Sequence, residues 1–210
     1  MLVGNDIVDL NDPESTLEAL HPRFTQRVFS EEERARIARS PDPRSTLWTL
    51  WAAKESAYKI ALKQEPTAVF SPRAFAVGFD GPRQGASGSG RVRSASPGVC
   101  FRTSRGESWV HVVAWSGPTR LAWRGLVCGV HRCPAGCDPS RLARSHARTA
   151  VARALGIGRD EVRIEGDRPP RLGGAGVLWG ADLSLSHHGA YTAFAVWLSP
   201  GAGGACPSLE

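Results

Sequence analysis

The chain has 210 residues, 41% of them hydrophobic and 22% charged, enough to bury a core in one domain or two small ones. That composition excludes collagen-like, coiled-coil and wholly disordered classes. Lys and Arg outnumber Asp and Glu 26 to 20, and the net charge of +6 points to an acidic partner: nucleic acid, a membrane surface, a phosphorylated ligand or an acidic protein.

Only three of the basic residues are lysines, and Lys54, Lys59 and Lys63 fall close together in an otherwise Arg-rich chain. No stretch approaches the ~20 apolar residues of a membrane span. The N-terminus, MLVGNDIVDL, has no basic leader and meets Asp6 and Asp9 at once, so it does not read as a secretory signal. Five cysteines without small-scaffold spacing argue against a disulfide framework. The expected compartment is the cytoplasm.

Leu2–Leu10 alternates as a strand, with Leu2, Asp6, Val8 and Leu10 on one face and Val3, Asn5, Ile7 and Asp9 on the other. A turn at Asn11–Pro13 leads into a short helix and a less regular stretch, Arg23–Phe29. Ser30 with Glu33 makes a capping box for a helix over 31–39. Asp42 and Pro43 start the clearest element, a helix from Arg44 to Lys63 with an apolar stripe of Leu47, Leu50, Trp51, Tyr58, Ala61 and Leu62. Strands are expected at Ala74–Phe79, Val99–Thr103 and Trp109–Trp115, with Gly81–Gly98 a mobile hairpin loop. A further strand, Leu121–Val130, precedes a turn-rich segment, Cys133–Pro139.

The remainder reads as a smaller unit. It holds a basic helix, Arg141–Leu155, closed by Gly156, then a strand at Glu161–Glu165 and a Pro/Gly connection at Arg168–Gly176. Strands Ala181–Ser186 and Tyr191–Leu198 flank a turn, His187-His188-Gly189. The fold class is α+β, with two helix-plus-antiparallel-sheet units, residues 1–118 and 119–200, and a disordered tail over 201–210.

Asp6 shares a face with Leu2, Val8 and Leu10, where a carboxylate needs a partner, a metal or a proton; it also reads as an ordinary turn aspartate. Glu55 lies on the flank of the helix stripe with Lys59 one turn on, a spacing that equally describes a surface ion pair. The rarity of lysine favours a chosen ammonium at Lys59, compact enough to touch one phosphate oxygen, whereas Lys63 reads as solvated surface. Ser186 and His187 sit where hydroxyl, imidazole and backbone N–H groups can hold a phosphate, or where a histidine serves as a structural hydrogen-bonder. Cys128, His131, Cys133 and Cys137 prompt a zinc reading, but their C-x4-C-x3-C spacing is irregular, which favours unligated thiols.

Together VGNDIVDL, WAAKESAYK and the SLSHHG turn resemble the 4′-phosphopantetheinyl transferase superfamily. Gly4-Asn5-Asp6 matches its G-x-D element. Trp51, Lys54, Glu55, Ser56 and Lys59 match W-x-x-K-E-[AS]-x-x-K, and RVFSEEER resembles the segment between. The resemblance covers residues 3–80 and, less closely, 141–198, with the units in the reverse of the order usual for two-unit members, as in a circular permutation. It implies two units related by a pseudo-two-fold in one monomeric chain.

It further implies transfer of the phosphopantetheine arm of coenzyme A to a serine of an acidic apo carrier protein, with Mg²⁺ and release of adenosine 3′,5′-bisphosphate. Asp6 and Glu55 are then the metal ligands and Asp9 is not one. Glu55 and Lys59 are catalytic. Coenzyme A is held by Lys54, Lys59, Arg148, Thr149, Arg168, Ser186 and His187, with Arg144 a further candidate. The competing reading is a non-catalytic basic module on the same fold, binding a carrier protein or nucleic acid. No RNA- or DNA-binding signature is present, so neither nucleic acid nor membrane is expected as a partner.

Overall fold

The computed structural model describes residues 1–81, 87–94, 98–117, 125–174 and 180–199. In chain order it contains strand β1 (Val3–Asp9), helices α1 (Phe24–Val28), α2 (Glu31–Ala38) and α3 (Pro43–Gln64), and strands β2 (Ala76–Phe79), β3 (Ser87–Arg93), β4 (Val99–Arg105), β5 (Trp109–Trp115) and β6 (Leu126–Arg132). Helix α4 (Pro139–Leu155) follows, then β7 (Val162–Glu165), β8 (Arg171–Gly174), β9 (Asp182–His188) and β10 (Tyr191–Trp197).

The helix starts follow their capping chemistry. The Ser30 hydroxyl accepts the Glu33 N–H while the Glu33 carboxylate accepts the Ser30 N–H, completing the box on α2. Asp42 and Asp138 cap α3 and α4, each followed by Pro at the first helical position. Gly156, at φ +67°, closes α4 in the left-handed conformation that an L side chain resists.

The apolar stripe expected on α3 is only part of what it buries. Ala52, Ala53, Lys54, Ser56, Ala57 and Ile60 are buried, whereas Trp51, Tyr58, Ala61 and Leu62 are half-buried. The reason is that α3 is covered on two sides. One side lies on β1 and β5. On the other an aromatic cluster closes over it, with Trp51 against Phe24 (5.5 Å between ring centroids) and Tyr58 stacked on Phe70 (4.6 Å).

Five antiparallel strands form the first sheet in the order β1-β5-β4-β3-β2; three form the second, β6-β10-β9; β7 and β8 pair separately. Thus β1 and β9 are edge strands. The fold is mixed helix and antiparallel sheet, as expected, but several strand assignments change. Ser87–Arg93, expected within a loop, is β3, paired with both β2 and β4; its glycines hid an alternation in which Gly90 and Val92 are buried. Arg171–Gly174, expected as a connection, pairs with β7. His187 and His188 belong to β9, so the turn is Gly189-Ala190. The expected strand over 121–130 starts at Leu126. Its first part, the proposed unit junction at residue 118 and the tail over 201–210 lie outside the described residues.

One buried group sets an acid limit on this fold. His111 on β5 lies opposite Ile7 of β1, is 3% exposed, and its Nε2 has no hydrogen-bond partner among the described residues. Burial, with a smaller push from Lys59, lowers its pKa from 6.5 to about 3. Between those values the unfolded chain binds a proton that the folded chain refuses, so stability falls as pH drops below 6.5. We expect a loss of roughly 2 kcal/mol from this residue at pH 5. His111→Gln should flatten that slope in denaturant titrations between pH 6.5 and 4.5; an unchanged slope would contradict the assignment.

Candidate active site

One edge of β1 pairs with β5; the other faces β9. There the N–H of Val3 donates to Asp182 Oδ2 (2.7 Å), that of Asn5 to Ser184 Oγ (2.9 Å) and that of Asp9 to His188 Nδ1 (3.2 Å). The common spacing of 179 residues means that β1 and β9 run side by side in the same direction. Side chains bind this edge instead of a backbone ladder. The Asn5 amide adds a bond from Nδ2 to Ser184 O (2.6 Å) and accepts one from the Ser186 hydroxyl.

Alternation then decides which residues share a side. Asn5, Ser184 and Ser186 meet on one side of the pair, so Asp6 and His187 fall on the other. That is the helix side. A Cβ on Gly4 would run into the Ser56 carbonyl of α3, and Leu183 joins Ala147 and Val151 of α4 in one apolar cluster. Glycine at position 4 is what lets α3 settle on β1, and this brings Asp6 to Glu55 and Lys59.

Lys59 Nζ donates to Asn5 O (2.7 Å) and Asp6 Oδ1 (3.1 Å). The pair is partly open, Lys59 at 28% and Asp6 at 16% exposure, so its worth lies in placement more than in stability. Glu55, half-buried beside them, has its pKa raised from 4.5 to about 7. Burial is the main cause, the Asp6 charge adds to it, and Lys59 opposes it. The result is two neighbouring carboxylates sharing the Lys59 ammonium.

Among the other expected ligands, Lys54 needs correction. It is 0% exposed, and its ammonium binds Glu33 (2.9 Å), Pro72 O (3.0 Å) and Phe75 O (2.6 Å). An ammonium enclosed by three acceptors is not available to a coenzyme; it ties α3 to α2 and to the segment before β2. Lys63 is not solvated surface either. It reaches Val3 O, Asp182 Oδ2 and Leu183 O, each at 2.7 Å, across the β1–β9 seam. Burial lowers the pKa of both lysines, with their carboxylate partners opposing the shift.

The Ser186 hydroxyl, expected on a phosphate, is buried and given to Asn5. His187 is exposed at the end of β9. At the β9–β10 turn, Cys133, Cys137, Pro139, Gly189 and Ala190 line an open hollow of about 630 Å³. Arg148 donates to Val162 O (2.8 Å) and Arg159 O (3.1 Å), and Arg144 to Gly166 O and Asp167. Thr149 bonds back to Ser145 O within α4 and Arg168 is exposed. His131 stacks flat on His146, 3.7 Å between centroids. Among the described residues no three His, Cys, Asp or Glu side chains gather as a metal site.

Sequence reasoning missed Asn5, Lys63 and Asp182. Asn5 carried a readable signal, a carboxamide on the strand face of Val3 and Ile7, but its partners lie 179 and 181 residues away.

Residues 2–84 match the family model of the 4′-phosphopantetheinyl transferase superfamily. The chain is 40% identical over 57 residues to the holo-[acyl-carrier-protein] synthase of Jannaschia sp. (strain CCS1), covering 27% of this chain and 38% of that protein. It is 42% identical over 57 residues to the holo-[acyl-carrier-protein] synthase of Caulobacter vibrioides (strain NA1000 / CB15N), covering 27% and 43%. The match therefore spans about two fifths of the length of these relatives. The N-terminal segment, which carries Asp6, Glu55 and Lys59, is thus similar to the 4′-phosphopantetheinyl transferase superfamily.

Lys54 lies inside the matched segment, yet its bonds are those of a core brace. Breaking one side of a buried pair costs about 3–5 kcal/mol, so Lys54→Ala should unfold at a markedly lower denaturant concentration. Undiminished stability of Lys54→Ala would contradict this placement.

Proposed function

We propose that this chain transfers the 4′-phosphopantetheine arm of coenzyme A to a serine of an apo acyl or peptidyl carrier protein, releasing adenosine 3′,5′-bisphosphate. The observation that carries the reading is the convergence of Asp6, Glu55 and Lys59 through the Gly4–Ser56 contact, inside the segment that matches the superfamily model.

The reaction forms a bond from the serine oxygen to the phosphorus bearing the pantetheine arm and breaks that phosphorus's bond to the bridging oxygen. The serine loses its proton, and the leaving bisphosphate takes up the negative charge. The protein's task is positioning and charge stabilisation. Glu55, beside Asp6 and Lys59, takes the serine proton directly or through a water. Lys59 stays over the same carboxylates and faces the charge that develops on phosphate oxygens. His187, on the helix side of β9, contacts a coenzyme phosphate, and Arg148, Thr149 and Arg168 border the 3′-phosphate.

The all-oxygen donor set of Asp6 and Glu55 fits a hard divalent cation. Held by these two carboxylates and waters, Mg²⁺ would supply charge neutralisation at the pyrophosphate. The reading further takes residues 1–118 and 119–200 as two units related by a pseudo-two-fold, in a monomer that holds the whole site in one chain. No helix among the described residues is long and apolar enough to cross a membrane, which accords with a cytoplasmic enzyme acting on an acidic carrier.

The test combines the protein, coenzyme A, Mg²⁺ and a panel of apo carrier proteins and reads carrier mass. At least one carrier should gain a phosphopantetheine. Glu55→Gln should cut turnover by roughly 100-fold or more with an unchanged melting curve. No increment on any carrier would favour the non-catalytic binding module, and near-normal turnover in Glu55→Gln would remove Glu55 from the chemistry.

A further inference from the structure

His187 is gripped on both sides of its sequence by one strand of the other sheet. The Ser186 hydroxyl donates to Asn5 Oδ1. His188 Nδ1 accepts the Asp9 N–H at 3.2 Å. Just beyond, the Ala190 N–H donates to Asp9 Oδ2 at 2.9 Å, a charge-assisted bond, while Asp9 Oδ1 accepts the Asn11 N–H at 2.8 Å. Both carboxylate oxygens are thus committed, and Asp9 is 4% exposed.

The turn is shaped for this carboxylate. Gly189 sits at φ +51°, and a Cβ there would collide with Asp9 Oδ2, Cβ and Cγ. On its far side the turn meets the residue after β6, through the Cys133 N–H to Ala190 O (2.8 Å). Residues 186 and 188 are therefore fixed from the β1 side, and strand alternation sends His187 the opposite way, exposed and on the side of Asp6. Asp9 lies on the face of β1 opposite Asp6 and clamps the β9–β10 turn.

We propose that Asp9, with Asn5, is a positioning residue: by holding Ser186, His188 and Ala190 from β1 it fixes where His187 presents its imidazole. This rests on reading His187 as a coenzyme A phosphate contact. Asp9 touches no substrate and acts through His187 alone, which makes the effects of the two residues on coenzyme binding non-additive.

The test is a double-mutant cycle on the full chain, with coenzyme A affinity by calorimetry, KM and kcat by carrier mass, and a melting curve for each variant. Asp9→Ala and His187→Ala should each weaken coenzyme A binding about tenfold. The double variant should bind no more weakly than His187→Ala. Asp9→Asn keeps the shape and part of the acceptor capacity, so it should recover part of the loss; it replaces Asp9→Ala in the cycle if that variant does not fold. Multiplied effects in the double variant, or unchanged affinity in Asp9→Ala beside a weakened His187→Ala, would overturn the positioning role. Unchanged affinity in His187→Ala would instead overturn the reading of His187 on which the role depends.

Discussion

Strand β1 has an edge whose N–H and C=O groups face another strand without a backbone ladder to receive them. Buried peptide groups left unpaired would each cost free energy comparable to a lost hydrogen bond. Five side chains meet the need: Asp182, Ser184 and His188 accept from Val3, Asn5 and Asp9, while Lys63 and Lys59 donate to the carbonyls of Val3 and Asn5. Satisfying this one edge fixes the direction and register of β9 against β1. It thereby fixes the relation between residues at opposite ends of the chain.

The same constraint explains where lysine is used. Lys54 and Lys63 each direct a compact ammonium at three oxygens, two of them backbone carbonyls, and Lys59 at a carbonyl and Asp6. A planar guanidinium presents its donors as a flat fork and does not gather acceptors around a point. In this Arg-rich chain the three lysines stand where a point charge with tetrahedral donors is required. Two of them brace the fold, and Lys59, partly open and shared with Asp6, stands at the site.

Much of the fold was legible in local chemistry. Capping residues placed α2, α3 and α4 to within a few positions, and the alternation of Leu2–Leu10 gave β1 with the correct division of faces. What escaped depends on contacts distant in sequence. Gly90 and Gly88 made β3 look like a loop because a glycine strand shows no apolar alternation, and its pairing with β2 and β4 is a tertiary fact. Lys63 read as surface because Asp182 lies 119 residues away. Asp6, Glu55 and Lys59 were legible because strand and helix motifs name them separately. Their meeting depends on Gly4, whose missing side chain admits α3.

The central claim, that β9 completes the open edge of β1, is tested most directly by amide hydrogen exchange along that strand. The N–H groups of Val3, Asn5 and Asp9 point to β9, and alternation directs those of Gly4, Asp6 and Val8 to β5. The account predicts that the odd-numbered amides are protected to a degree similar to the even-numbered ones. Rapid exchange at Val3, Asn5 and Asp9 with protection retained at Gly4, Asp6 and Val8 would contradict it.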